Sequence, residues 1–180
     1  QKPLLEYIVR LLKFHGVVDL AFLVDYKAEQ IVNYFDDGSR FGVKISYIRD
    51  LPKFRGTAGS VYNAFKQNAA TVEDTLLVYY GDIVTTLDVT KLLEYHWRRK
   101  AFATVALASG FSVRVGLADI DKGGRILWFV EKPKLEKPVS IGIMALEGKT
   151  LEEIESLFPK NRPVDLMGDV VPLLLKEGKP

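Results

Sequence analysis

The stretch Leu76-Leu77-Val78-Tyr79-Tyr80-Gly81-Asp82 is an apolar run that ends abruptly in glycine and aspartate. A strand that is buried on both faces of a sheet is apolar at nearly every position, so the run predicts such a strand. Glycine allows a sharp turn, which places Asp82 at the strand's carboxyl end, where open α/β sheets bind their ligands. Asp82 is therefore a candidate to hold a divalent metal ion or a ligand hydroxyl. An aspartate that only caps the following turn fits this motif equally well.

Strands and helices alternate on both sides of this run. Apolar residues recur at helical spacing before and after each short apolar stretch, and Asp88 is placed as the N-cap of a helix. This order predicts an α/β fold with βαβ units, a mainly parallel sheet, right-handed crossovers and helices on both faces. The expected helices span residues 3–15, 27–35, 56–70 and 88–99, and the expected strands span 20–24, 43–48 and 75–79.

The second half of the chain has a different character. The turn sequence Asp121-Lys122-Gly123-Gly124 separates two apolar runs and predicts a β-hairpin. The whole chain is therefore interpreted as one α/β domain with an antiparallel hairpin elaboration. Further strands are expected at 102–107, 115–120, 126–130 and 141–146, and short helices at 151–158 and 170–175.

Composition limits the classes of partner and compartment. The 180 residues suit one domain, and a net charge of +2 is too small to favour nucleic acid or a membrane surface. The chain has no cysteine, which excludes disulfides and thiolate metal sites and fits a cytoplasmic protein. No apolar run approaches the roughly 20 residues that cross a bilayer.

Two further motifs are candidates for binding phosphate or sugar. Glu131-Lys132-Pro133 follows an apolar run; Lys132 could neutralise a phosphate and Glu131 could accept hydrogen bonds from sugar hydroxyls. A solvated charge pair before a loop is the alternative. Gly56-Thr57-Ala58-Gly59 precedes a helix, where small residues and free backbone amides can bind an anion. Alternatively, these residues only cap the helix and allow it to pack closely.

The other polar candidates favour structural roles. His15 and His96 lie far apart in helical patterns without the spacing of metal ligands, so packing or surface positions are expected. Asp165 and Asp169 bracket a turn, where capping is favoured over a role as second metal ligand.

Taken in order, these motifs resemble the sugar-1-phosphate nucleotidyltransferases, also called NDP-sugar pyrophosphorylases. The resemblance covers nearly the whole chain and is greatest for the branch with mannose-1-phosphate guanylyltransferases and glucose-1-phosphate thymidylyl- and uridylyltransferases. The segments that carry it are Lys2–Ile8, Tyr26–Ile31, Tyr34-Phe35, Asp37–Val43, Gly56–Gly59, Gly81-Asp82, the strand with Gly116, Phe129–Pro133 and Gly142-Ile143.

This resemblance implies a Rossmann-like, glycosyltransferase-A-type sheet and a reaction that joins a nucleoside triphosphate to a sugar 1-phosphate, releasing pyrophosphate. Asp82 would hold Mg²⁺ between the phosphates, and Lys132 would contact the sugar phosphate. The expected substrate-binding residues are Gly56, Thr57, Ala58 and Gly59 against base and ribose, Gly116, Glu131 and Ser140 on the sugar side, and Gly81. Many relatives are homo-oligomers, and the oligomeric state of this chain is left open.

The chain also departs from the family pattern. The family's amino-terminal strand, which lies in the middle of the sheet, and its Gly-rich phosphate loop are absent from the sequence, as is the carboxyl-terminal segment with a second metal-binding aspartate. Ser140 stands where the family has asparagine. Residues 1–180 are therefore expected to form a nucleotidyltransferase-like domain that is incomplete at both ends and that does not turn over alone. The sequence is interpreted as a fragment of an enzyme, or as one from which the strand was lost; a natural domain that never had the strand would leave a gap in the sheet or an exposed pairing edge, which disfavours that alternative.

Other functions are weighed against this one. A non-catalytic homologue that binds a nucleotide sugar or regulates an active partner is the main alternative. A glycosyltransferase of similar fold usually carries Asp-x-Asp at its metal site, whereas Ile83-Val84 follows Asp82. The glycine fingerprint of dinucleotide-dependent oxidoreductases is missing, which disfavours that class.

Overall fold

The computed structural model describes residues 2–158 and 162–179. Its first half alternates helices with strands, and its second half is dominated by strands. In chain order the elements are α1 Leu4–Phe14, β1 Asp19–Val24, α2 Ala28–Phe35, a 3₁₀ turn Ser39–Phe41, β2 Lys44–Arg49, α3 Thr57–Lys66, β3 Thr75–Tyr79, α4 Val89–Arg99, β4 Ala103–Ala108, β5 Leu117–Ile120, β6 Ile126–Val130, β7 Val139–Glu147, α5 Thr150–Glu155, a π-helical turn Leu166–Val170 and α6 Val171–Lys176.

The element boundaries follow local sequence signals. β3 has the limits expected from its apolar run, and the Asp88 carboxylate accepts a hydrogen bond from the Lys91 amide at 3.0 Å as the N-cap of α4. Several expected elements differ in extent: α3 ends at Lys66 rather than near residue 70, and β5 begins at Leu117 rather than at 115. In addition, α5 ends at Glu155 rather than at 158, and β7 spans Val139–Glu147 rather than 141–146. No helix of the described ranges is both long and apolar enough to cross a membrane.

The strand pairing differs from the expected, mainly parallel sheet. β1 pairs with β2 in parallel, whereas β7 lies between β3 and β4 and runs antiparallel to both. β5 and β6 form the expected antiparallel hairpin. The prediction of a mainly parallel sheet is therefore wrong for the pairings within the described residues. The reason is the insertion of β7, whose apolar residues Ile143–Leu146 are completely buried.

Two hydrophobic clusters lie on opposite faces of β1 and β3. Leu23 of β1 and the even-numbered residues of β3 pack against the first cluster, which includes α3, β7 and α5. Leu20 and Phe22 of β1 and the odd-numbered residues of β3 pack against the second, which includes α1, α2 and β2. Since successive side chains of a strand point to opposite faces, α1 covers one face and α3 the other.

Buried polar side chains tie helices and strands together at two places. The Glu6 carboxylate on α1 accepts hydrogen bonds from the Tyr34 hydroxyl at 2.6 Å and from Arg10 Nε at 2.7 Å, which hold the pKa of Glu6 down at about 2. His96 on α4 is fully buried and contacts Glu147 Oε1 and Thr104 Oγ1, each at 2.9 Å. The packing role expected for His96 is thus observed.

A large cavity separates β1 from β3. The two strands are not hydrogen-bonded to each other, and both line a space of about 1180 Å³ together with residues of α1 and α3. We call this space the slot.

Candidate functional site

Three strand ends meet at one end of the antiparallel sheet. Tyr79, the last residue of β3, is paired with Ile143 of β7, and Ala108, the last residue of β4, is paired with Val139. The carboxyl ends of β3 and β4 and the amino end of β7 therefore lie at the same end. The segment with Gly81 and Asp82, and the excursion of residues 109–138 that carries the hairpin, both leave the sheet there.

Asp82 lies just beyond the carboxyl end of β3 with its side chain exposed. Within residues 2–158 and 162–179, no group of three or more histidine, aspartate or glutamate side chains is arranged to hold a metal ion. Asp82 is therefore not part of such a group. Mg²⁺ commonly binds one or two carboxylates together with waters and substrate phosphates, so one aspartate fits a metal ion that is shared with a phosphate ligand.

The base of the hairpin excursion brings three expected site residues together. A Cβ atom added to Gly116 would approach the Phe129 ring to 2.5 Å and Glu131 Oε2 to 3.0 Å, so Gly116 packs directly against both side chains. Lys132 has a positive φ of 49°, is exposed, and places its Nζ 3.7 Å from Glu131 Oε1. No hydrogen bond or ion pair among the described residues joins this group to Asp82.

Backbone contacts hold the excursion in place. The Val113 amide donates to the Pro133 carbonyl at 2.9 Å, and the Leu135 amide donates to the Phe111 carbonyl at 2.7 Å. The chain after Lys132 is therefore anchored to the chain that enters the hairpin, which fixes where the exposed Glu131 and Lys132 are held.

Ser140 and Gly142 connect β7 to its neighbours. The Ser140 hydroxyl lies 3.6 Å from Met167 Sδ in the π-helical turn. Gly142 has φ +72°, and an added Cβ would lie 2.8 Å from the Tyr80 ring. Tyr80 and Met167 were not singled out from the sequence. A glycine inside an apolar strand pattern signals a bulge or a close approach, and at Gly142 that signal points to Tyr80.

The two glycines before and within α3 make room for the protein's own backbone. A Cβ at Gly56 would come within 2.4 Å of the Val164 carbonyl oxygen, and one at Gly59 within 2.5 Å of the Phe54 carbonyl group. Gly56 also has φ +86° and ψ 171°. Close packing therefore accounts for both glycines, and their contact with base and ribose stays a prediction.

The first amides of α3 have partners in the chain itself. The Asp165 carboxylate accepts hydrogen bonds from the Thr57 hydroxyl at 3.1 Å and the Thr57 amide at 3.4 Å, and the Ala58 amide donates to the Val164 carbonyl at 3.0 Å. Asp165 therefore occupies the position that an anion would take at this helix start. Of the two roles weighed for Asp165, the structure shows the capping contact.

Asp169 holds the segment that carries Asp165. One of its oxygens accepts a hydrogen bond from the Asp165 amide at 2.9 Å, and both oxygens bind the Arg162 guanidinium. The carboxylate raises the pKa of Arg162, since it favours the charged guanidinium. Asp169 thus fixes a turn.

Asp50 is a candidate that the sequence did not indicate. It follows β2, and its Oδ2 accepts a hydrogen bond from the Ser60 hydroxyl at 2.8 Å, while burial raises its pKa. Its Oδ1 is buried without a hydrogen-bond partner among the described residues. A buried acceptor without a partner is costly, so this oxygen is a plausible contact for a ligand donor.

Comparison with known proteins identifies the family. The sequence model of the nucleotidyl transferase family matches residues 1–180. The chain belongs to this family. A UTP–glucose-1-phosphate uridylyltransferase of Synechocystis is 33% identical over 100% of this chain and 49% of its own length. The low-salt glycan biosynthesis nucleotidyltransferase Agl11 of Haloferax volcanii is 30% identical over 98% of this chain and 50% of its own.

A third relative is covered more completely. The D-glycero-α-D-manno-heptose 1-phosphate guanylyltransferase of Aneurinibacillus thermoaerophilus is 30% identical over 88% of this chain and 67% of its own. The chain spans about half the length of the first two family members, so it corresponds to one part of each.

A solved structure supports the fold. A Bacillus anthracis protein described as a glucose-1-phosphate thymidylyltransferase superposes with a TM-score of 0.75 at 24% identity, over 98% of this chain and 71% of that one. The mixed α/β arrangement of parallel and antiparallel sheets is thus the nucleotidyl transferase fold.

Proposed function

We propose that this chain is part of an enzyme that transfers a nucleotidyl group from a nucleoside triphosphate to a sugar 1-phosphate, giving an NDP-sugar and pyrophosphate. The observation that carries the proposal is the family match over the whole chain, among relatives that act on different sugar 1-phosphates. Asp82 follows β3, and Lys132 belongs to the excursion of residues 109–138 that leaves the same end of the sheet; both side chains are exposed, which supports their proposed roles on the phosphates.

Asp82 is proposed as the residue that would hold Mg²⁺. The reaction brings a sugar phosphate against a triphosphate, and both are strongly negative. Bound Mg²⁺ would neutralise charge on the phosphates. Asp82 would contribute an oxygen ligand, which is supported by its exposed position directly after β3.

Lys132 and Glu131 are proposed to bind the sugar 1-phosphate. The Lys132 ammonium offers a compact positive charge to the phosphate, and Glu131 accepts hydrogen bonds from sugar hydroxyls. Gly116 lies against Glu131 without a side chain, so a sugar can approach the backbone there. Lys132 Nζ lies 3.7 Å from Glu131 Oε1, so the two groups are close enough to contact one sugar phosphate.

Substrates of this chemistry are soluble, and the lack of cysteine suits a reducing compartment, so we place the enzyme in the cytoplasm. Its partners are the two substrates.

The test uses the intact gene product that contains this chain. Pyrophosphate release is measured with a panel of sugar 1-phosphates and nucleoside triphosphates for wild type, Asp82→Asn and Lys132→Ala. We expect Asp82→Asn to lower kcat by at least about 10²-fold, as for loss of a group that stabilises transition-state charge. We expect Lys132→Ala to raise KM for the sugar 1-phosphate, with Asp119→Asn and Lys137→Ala as exposed matched controls.

Two results would contradict the proposal. Turnover that is unchanged in Asp82→Asn would remove the assigned metal role, and Mn²⁺ binding followed by electron paramagnetic resonance gives an independent readout of it. Binding of an NDP-sugar without any pyrophosphate release would instead support a non-catalytic, nucleotide-sugar-binding homologue.

A further inference from the structure

A second, smaller cavity lies between the last turns of α1 and the 3₁₀ turn. Its volume is about 360 Å³, and it is lined by Arg10, Lys13, Phe14, Arg40 and Phe41. None of these residues lines the slot. We call this cavity the basic pocket, because its lining combines three cationic side chains with two aromatic rings and contains no carboxylate.

The positive charge of the basic pocket is only partly neutralised by the chain itself. The buried Glu6 carboxylate accepts a hydrogen bond from Arg10 Nε at 2.7 Å and also lies 3.4 Å from Lys2 Nζ. Among the described residues, no carboxylate forms an ion pair with Lys13 or Arg40. Two positive charges therefore remain available to an anion at one cavity.

Both of these cations are held by neighbouring groups. Arg40 Nη2 donates to the Tyr34 carbonyl, and the Arg40 guanidinium lies over the Phe41 ring, 4.8 Å from its centroid. The Lys13 ammonium lies directly against Gly42, where an added Cβ would collide with it. Since the cations are placed before a ligand arrives, binding requires little further ordering of side chains.

Phe14 adds an aromatic surface to the basic pocket. Its side chain is 84% exposed, and its ring contacts His15 edge to face at 5.2 Å between centroids. A single exposed phenylalanine is not informative alone. Beside a cluster of cations, however, its ring can stack on a nucleobase while the cations bind phosphate.

We propose that the basic pocket binds a nucleoside phosphate, with the phosphate on Lys13 and Arg40 and the base stacked on Phe14. Ligand pockets begin at about 300 Å³, so this cavity admits a molecule of mononucleotide size. An inorganic anion would leave the Phe14 ring uncovered, and an apolar ligand would leave the charges unused. This inference does not rest on the proposed nucleotidyl transfer.

The basic pocket is distinct from the candidate site, although α1 reaches both. A Cβ added to Gly81 would lie 3.8 Å from Leu5 Cδ1, so the first turn of α1 contacts the segment with Asp82. Phe14 follows nine residues after Leu5, which corresponds to about 14 Å along the helix. A nucleotide bound at either place can therefore be recognised by the amides that it perturbs.

The test is NMR titration of the isotope-labelled intact gene product with guanosine 5′-monophosphate, guanosine and inorganic phosphate. We expect the monophosphate to shift the amides of Lys13, Phe14, Phe41 and Gly42 in a saturable way. Guanosine and inorganic phosphate should each bind at the same amides at least fivefold more weakly, because each supplies only one of the two contacts.

Variants separate the contribution of charge from that of stacking. Lys13→Gln and Arg40→Gln should each weaken monophosphate binding at least about tenfold, because each removes a charged donor. Phe14→Leu should weaken monophosphate binding at least about fivefold and leave the binding of inorganic phosphate unchanged. Lys44→Gln and Tyr26→Leu are the matched controls, since both side chains are exposed outside the pocket, and they should bind as wild type.

Two results would overturn the proposal. Monophosphate shifts confined to the candidate site around Asp82, with the amides of Lys13 and Phe14 unmoved, would show that the basic pocket does not bind the nucleotide. Equal affinities for the monophosphate and inorganic phosphate, with no effect of Phe14→Leu, would show an anion site without base recognition and overturn the assigned ligand class.

Discussion

Replacing Gly56 by alanine separates packing from ligand binding at the start of α3. Gly56 has φ +86° and ψ 171°, a region that is essentially restricted to glycine and costs other residues about 1–3 kcal/mol. The new Cβ would also lie 2.4 Å from the Val164 carbonyl oxygen, and overpacking against rigid neighbours costs about 1–3 kcal/mol. We therefore expect Gly56→Ala to lower the free energy of unfolding by about 2–6 kcal/mol, a large share of a typical stability.

The assay is urea unfolding followed by far-ultraviolet circular dichroism, with the midpoint and slope fitted for each variant. Gly168→Ala is the matched control, because its Cβ would meet nothing closer than 3.7 Å and its φ is not positive. That control is expected to be neutral or slightly stabilising, since alanine restricts the unfolded chain. A loss below about 1 kcal/mol in Gly56→Ala, together with weaker nucleotide binding, would refute the packing argument and assign the glycine to a ligand.

Two further predictions concern polar contacts. Because the pKa of Glu6 is lowered to about 2 in the folded protein, its contribution to stability is present above about pH 4.5 and is lost as pH falls towards 2. The difference in Tm between wild type and Glu6→Gln should therefore shrink over that range. A difference that is independent of pH would contradict the assignment. Asp88→Ala removes the N-cap of α4 and should lower the free energy of unfolding, measured with urea, by about 0.5–2 kcal/mol. Asp88→Asn should be close to wild type, because asparagine also caps helices. Equal losses of stability in both variants would rule out the cap.

Helix caps, turns and strand limits were predicted correctly where adjacent residues determine them. The limits of β3, the cap at Asp88 and the hairpin turn at residues 121–124 each depend on a few adjacent residues. The antiparallel insertion of β7 could not be read in this way. An apolar run such as 141–146 has the same pattern in a parallel or an antiparallel strand, so its neighbours are decided by tertiary packing.

At the candidate site, too, local features were predicted from the sequence and contacts between distant segments were not. The sequence indicated that Gly56 and Gly59 allow a close approach, but not what approaches them. The partner of Gly56 is Val164, more than a hundred residues away, and the Asp165 carboxylate binds Thr57 beside it. Contacts between distant segments carry no local signal, which is why the sequence favoured capping by Asp165 but did not indicate that the helix it caps is α3.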